Sequence, residues 1–280
     1  PPPPPPPPPP FQAEDGIRDM PTGLVGSEMC IRDSYWAASA RPGVDTAFSE
    51  DQMKVGRKLA NKLLNVSKFV LSFGDVDMST SLTDAVTNPI DRSMLAKLDA
   101  VIDEATTGFE AFDYARGLER TEAVFWWFCD NYVELVKNRA YEAMGAEEAA
   151  SARRALREAL SACQRLLAPF LPFATEEAWS WWNDTSVHNA SWPTTSGLGG
   201  DPALIDPTIE ALTLVRRAKS EAKVSQRAEV ATLAIGAPAD VHDTLEAGRA
   251  DLAAAGSIAE ITISAADALG CDVVLADTTG

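Results

Sequence analysis

Apolar residues recur at helical spacing along most of the chain. In the stretch from Phe125 to Tyr141, FWWFCDNYVELVKNRAY, the residues Phe125, Phe128, Tyr132, Leu135 and Val136 form one stripe. Opposite it lie Asp130, Asn131, Glu134, Lys137 and Asn138, with Arg139 close by. A helix with this much aromatic area on one side must be covered by other helices. Residues 50–73 give a second two-faced helix. Val55, Leu59, Leu63, Val66 and Val70 line its inner side; Lys54, Arg57, Lys58, Asn61, Lys62, Asn65 and Lys68 line its outer side. Ser49 reads as its N-cap, with Gln52 as the capping-box partner.

Further elements follow the same logic. After a polar connector closed by Asn88-Pro89, Asp91 or Ser93 caps a helix with Met94, Leu95, Leu98, Val101 and Ile102 inside. One long helix is expected from about Thr107 to Tyr141, weakened at Gly117 by about 1 kcal/mol relative to Ala. Residues 147–168 form the next, with Leu156, Leu160, Cys163 and Leu167 inward, and Thr175 caps TEEAWSWW. About five helices with short links make an antiparallel bundle over residues 50–193. Residues 194–204, rich in Gly and Thr, read as a flexible linker. Beyond it, a helix over 205–223 with Ile209, Leu212 and Val215 inside precedes strand, helix, strand and strand: Glu229–Ile235, Pro238–Ala255, Ser257–Ser264 and Cys271–Ala276. The fold class is mainly α, a helical bundle followed by a small C-terminal α/β domain over 205–280.

The first 34 residues fit none of this. Ten prolines can form only a polyproline II rod or disorder, and residues 11–34 resemble translated sequencing-adaptor DNA. They are read as a disordered, non-native leader, and residues 35–49 as a transition: an aromatic-alanine segment, a Pro42-Gly43 turn and a short extended piece. The four cysteines, Cys30, Cys129, Cys163 and Cys271, form no C-x-x-C pair, which argues against zinc and disulfides and suits a reducing cytoplasm. No apolar run reaches the roughly 18 residues of a membrane span.

The formal charge is −17; without the leader, 36 acids face 22 bases, or −14. That total opposes nucleic-acid binding, but the bases are clustered, and distribution decides more than total. A helix face with no acid after Asp51 points to a polyanion, with a plain solvated face as the alternative. A second cluster holds Arg216, Lys219 and Lys223 on one helix edge, with Arg217 adjacent and Arg227 beyond. Each cluster would contact RNA backbone without reading bases. Trp126 and Trp127 could stack on unstacked bases, whereas Phe125 and Phe128 belong to the core. His188, alone in a loop, reads as a hydrogen-bonding residue rather than a catalyst, and His242 has no partner in sequence either. No Walker loop, G-x-G-x-x-G, H-E-x-x-H or nucleophile elbow occurs. Cys129 and Asp130, adjacent on a helix, point about 100° apart and form no dyad.

Four segments, in order, carry a family resemblance: YWAASARPGVDTAFSEDQMKVGRKLANKLLNVSKFVL, FEAFDYARGLERTEAVFWWFCDNYVELVKNRAY, LLAPFLPFATEEAW with SVHNASWP, and VRRAKSEAKVSQRAEV. Together they resemble the C-terminal part of bacterial valyl-tRNA synthetases from Tyr35 onward; isoleucyl-type enzymes share the bundle. The resemblance implies a class I ligase that uses ATP, Mg2+ and valine to charge tRNA(Val). Its catalytic HIGH-type and KMSKS-type motifs are absent from this sequence, so the expectation is a truncated, catalytically inactive tRNA-binding part that binds no cofactor. It also implies tRNA contacts by Lys54, Arg57, Lys58, Lys62, Lys68, Trp126, Trp127, Lys137, Arg139, Arg216, Arg217, Lys219, Lys223 and Arg227. A monomeric cytoplasmic protein that binds neither DNA nor membrane is expected. The coiled-coil arm common in the family has no counterpart before Gly280. From a different class, the alternative is a helical protein-interaction module that uses its acidic surface.

Overall fold

The computed structural model describes residues 34–41, 43 and 50–276. The leader and the proposed Ser49 cap lie outside the described residues. A short helix α1 over residues 34–39 precedes α2 (Glu50–Leu71), α3 (Leu82–Ala85), α4 (Pro89–Glu110) and α5 (Tyr114–Trp127). A π-helical turn, Phe128–Tyr132, joins α5 to α6 (Val133–Ala140). Then come α7 (Ala146–Leu167), α8 (Pro172–Ser180), α9 (Asp206–Glu221), β1 (Val230–Ala237), α10 (His242–Gly256), β2 (Ile258–Ala265) and β3 (Gly270–Leu275). The protein is mainly α, a helical bundle with a small C-terminal sheet, as the pattern predicted.

The two predicted stripes are buried apart from Val55, which is half-buried against the core. Phe125, Tyr132, Leu135 and Val136 have no solvent exposure and Phe128 is 2% exposed, while Leu59, Leu63, Val66 and Val70 are buried along α2. On α7, Leu156, Leu160, Cys163 and Leu167 point inward as expected. One hydrophobic core runs from α2 through the bundle into α9, β1, α10 and β2.

The helix from Thr107 to Tyr141 is not continuous. Phe112 takes a left-handed backbone conformation at φ 59°, ending α4, and Asp113 restarts the chain as the N-cap of α5 by accepting from the Arg116 N–H. Gly117 is a packing residue rather than a weak point. A Cβ there would lie 3.0 Å from the Phe109 ring, so glycine lets α4 and α5 approach closely. The π-turn admits one extra residue and brings Phe128, Cys129 and Tyr132 inward together.

Two expected caps also change. Asn88, not Asp91 or Ser93, caps α4, its side chain accepting from the Ile90 N–H at 2.9 Å, with Pro89 in the first helical turn. Helix α8 begins at Pro172, so Thr175 sits inside it and its hydroxyl donates back to the Leu171 carbonyl at 2.9 Å.

Residues 194–204 carry no helix or strand and lie along α4: Ser196 gives its N–H and hydroxyl to the Asp99 carboxylate at 2.7 and 2.6 Å. In the sheet, β1 is central, parallel to β2 and antiparallel to β3, with α10 as the crossover between the parallel strands.

Candidate nucleic-acid interface

The outer face of α2 is exposed at Lys54, Arg57, Lys58 and Lys68, while Lys62 is half-buried. Lys54 pairs with Asp51 at 2.9 Å. Although the sequence shows no acid on this face after Asp51, the fold delivers one from the π-turn. Lys62 donates to Asp130 Oδ1 at 2.7 Å, and Arg216 of α9 donates to the Asp130 backbone carbonyl at 3.2 Å. Asp130 is therefore where the two basic clusters meet. Cys129 beside it is buried, and burial pushes its thiol pKa far up, so the pair has no nucleophilic character.

Trp126 and Trp127 are half-buried against the core. The Trp126 N–H donates to Glu122 at 3.1 Å while the Lys62 ammonium stands 5.9 Å from its ring; Lys97 stands 5.5 Å from the Trp127 ring. A more open aromatic group exists elsewhere. Phe69, Phe73 and Tyr141 meet edge to face at 5.0–6.2 Å, and Tyr141 is 57% exposed. Cations flank it, with Lys137 5.9 Å from the Phe69 ring and Arg153 5.3 Å from the Phe73 ring. The signal was present in the sequence, since Phe69 and Phe73 are i,i+4 neighbours and Tyr141 closes the central motif.

In the second cluster, Arg216, Lys219 and Arg227 join Lys137 around a cleft of about 760 Å³ between α6, α9 and the end of α10. Arg217 pairs instead with Glu221 at 2.8 Å, and Lys223 stands exposed just past α9. Lys219, expected at the RNA surface, is 1% exposed; its ammonium donates to the carbonyls of Gly256 at 2.7 Å and Gln226 at 3.1 Å.

Arg139 is the larger correction. Expected to face RNA, it is 1% exposed and forms the hub of a buried network. Its guanidinium grips both oxygens of Asp91 on α4 at 2.7 Å and reaches Asp251 on α10 at 2.9 Å. Tyr132 and Ser151 also donate to Asp91, at 2.6 and 2.7 Å. Burial works against the Arg139 charge, but the two carboxylates more than offset it and raise its pKa. The residue thus fastens α6 to α4 and α10, helped by Asn138, which donates to the Ala254 carbonyl at 2.9 Å.

The other predicted polar residues are structural. The rings of His188 and His242 lie 3.2 and 3.0 Å from the carbonyls of Pro172 and Ala237. Among the described residues, no three His, Cys, Asp or Glu converge to hold a metal ion, and no helix is long and apolar enough to cross a membrane.

Residues 91–235 match the family described as the anticodon-binding domain of tRNA ligase. The chain belongs to that family. The match runs from Asp91, the buried partner of Arg139, to Ile235 in the central strand, so this anticodon-binding domain includes the basic residues of α9. Curated relatives named valine–tRNA ligase include those of Thermobifida fusca, 51% identical over 249 residues, and Leifsonia xyli, 49% over 250. These alignments cover 86% and 87% of this chain but 28% of each relative. The chain thus spans less than a third of the length of the relatives it matches.

Proposed function

We propose that this chain is the tRNA-binding part of a valine–tRNA ligase and holds tRNA(Val) while valine and ATP react on other parts of that enzyme. The chain alone attaches no amino acid. One observation carries the reading: the cations form a connected belt. It runs from Lys58 and Lys62 on α2 through Asp130 to Arg216, along the cleft to Lys137, and on to Phe69 and Tyr141. Lysines and arginines there take backbone phosphates, and the Phe69–Phe73–Tyr141 group takes an unstacked base. Lys54, Arg57 and Lys68 extend the belt along α2, Arg227 extends it past α9, and the lysine-covered Trp126 and Trp127 support it. In this reading the bundle over residues 50–193 and the unit over 205–280 present one surface, in a monomeric cytoplasmic protein.

Fluorescence anisotropy with labelled tRNA(Val) tests it. Charge reversal by Lys58→Glu and Lys62→Glu is expected to abolish binding at moderate salt. Unchanged binding by that variant would remove the belt from the account, and valine-dependent charging by this chain would contradict the division of labour.

A further inference from the structure

The cleft between α6, α9 and α10 has a charge balance that the protein does not close by itself. Lys137, Arg216, Lys219 and Arg227 line it, and Glu134 is the one acid among its lining residues. Lys137 is 4.0 Å from Glu134. The remaining cations have no carboxylate within ion-pair reach among the described residues. Arg216 donates to a neutral carbonyl, and Arg227 makes no side-chain bond to any described residue. Lys219 is the most telling. Its side chain is buried, yet its ammonium meets only two backbone carbonyls, one at the C-terminal end of α10. That helix end offsets part of the charge. A buried ammonium held by neutral dipoles alone is still disfavoured, and burial lowers its pKa accordingly.

A ligand that removes this imbalance must be anionic and small enough to enter beside two guanidinium groups. A tetrahedral oxyanion suits them, because the planar fork of arginine binds paired oxygens. The cleft is continuous with the belt at both ends, through Arg216 to Asp130 and through Lys137 to the Phe69 ring. We infer that this cleft seats a phosphate group of the RNA backbone, held by Arg216 and Arg227 from one side and Lys137 from the other, with Lys219 supplying charge from beneath. The inference rests on the tRNA-binding reading for the source of the phosphate, and on the cleft itself for the site. Because the lining comes from α6, α9, the turn at Gln226 and the end of α10, one phosphate would bridge the bundle and the C-terminal unit.

The test uses the double variant Arg216→Gln/Arg227→Gln in the full chain, with Arg120→Gln as the control, an exposed arginine of α5 outside the cleft that pairs with Glu104 at 3.0 Å. Two ligands are titrated: tRNA(Val) across a salt series, and inorganic pyrophosphate followed by calorimetry. The double variant should make the slope of log K against log salt shallower by roughly one to two, since each lost phosphate contact removes about one. The control should leave that slope in place. Wild-type chain should bind pyrophosphate saturably, and the double variant should not. If tRNA binds and the double variant keeps the wild-type slope, the RNA-backbone assignment is overturned, whatever pyrophosphate does. If wild-type chain does not bind tRNA even at low salt, the tRNA reading fails and pyrophosphate decides the site separately. Saturable binding lost in the double variant then supports a free phosphate ligand, and no binding overturns the site.

Discussion

Replacing Arg139 with alanine tests the buried network directly. The substitution leaves two carboxylates behind: Asp91, which keeps the hydroxyls of Tyr132 and Ser151, and Asp251, which loses its cation. Asp91 has no solvent exposure and Asp251 is 3% exposed, so neither carboxylate is in contact with bulk water in the folded chain. Breaking one buried pair costs about 3–5 kcal/mol, and here one cation serves two buried acids and a third, half-exposed one, Glu148, at 3.9 Å, which places the loss near the upper end. Against a total stability of about 5–15 kcal/mol, that is a large share. With a urea dependence of about 2–3 kcal/mol per molar, the unfolding midpoint should fall by about 2 M. The loss should also depend on pH. Burial already raises the Asp251 pKa above its ordinary value despite Arg139. An acid with a raised folded pKa favours the folded state when protonated, and that contribution disappears as pH rises through the folded value. The variant should therefore be less destabilised at pH 5 than at pH 7, and adding Asp251→Ala should recover part of the loss at pH 7. A midpoint shift corresponding to less than about 1 kcal/mol, or a loss that does not shrink at pH 5, would refute the reasoning.

Three smaller predictions concern the frame. Asn88→Ala removes both the cap on the Ile90 N–H and the bond to Glu148, and should cost about 1 kcal/mol in denaturant unfolding, more than Asn88→Asp. Asp77 accepts from Ser79 and Thr80, which hold its carboxyl down to about 2. A depressed folded pKa contributes stability above the ordinary value of 3.8 that is lost as pH falls toward 2, so acid unfolding of Asp77→Asn should lack this component. Burial pushes the thiols of Cys163 and Cys271 up to about 12 and 11, and that of Cys129 higher. Alkylation at pH 8 should be slow at these three in the folded chain and fast in urea, as mass spectrometry of the labelled peptides would show.

Much of this fold was legible because period carries it. The stripe from Phe125 to Val136 and the inner side of α2 are amphipathic patterns, and both are buried except at Val55, which is half-buried. The breaks were harder. A left-handed Phe112 and a π-turn at FCDNY leave no gap in an apolar pattern that continues across both. Arg139 and Lys219 were misplaced for one physical reason. A charge on a helix reads as outward unless its partner is known, and the partners are distant: Asp91 and Asp251 lie 48 and 112 positions from Arg139, and Gly256 lies 37 from Lys219. The same limit hid the meeting of the two basic clusters at Asp130, since Lys62 and Arg216 lie on either side of it in sequence, 68 and 86 positions away.

The central claim is that this acidic chain binds tRNA through a local belt of cations. The most direct measurement is the dissociation constant of the purified chain for tRNA(Val), taken from low to moderate salt. The account predicts tight binding at low salt that weakens along a straight line in log K against log salt, steeply enough to require several phosphate contacts at about 0.7–0.9 each. No binding at low salt, or an affinity indifferent to salt, would contradict it.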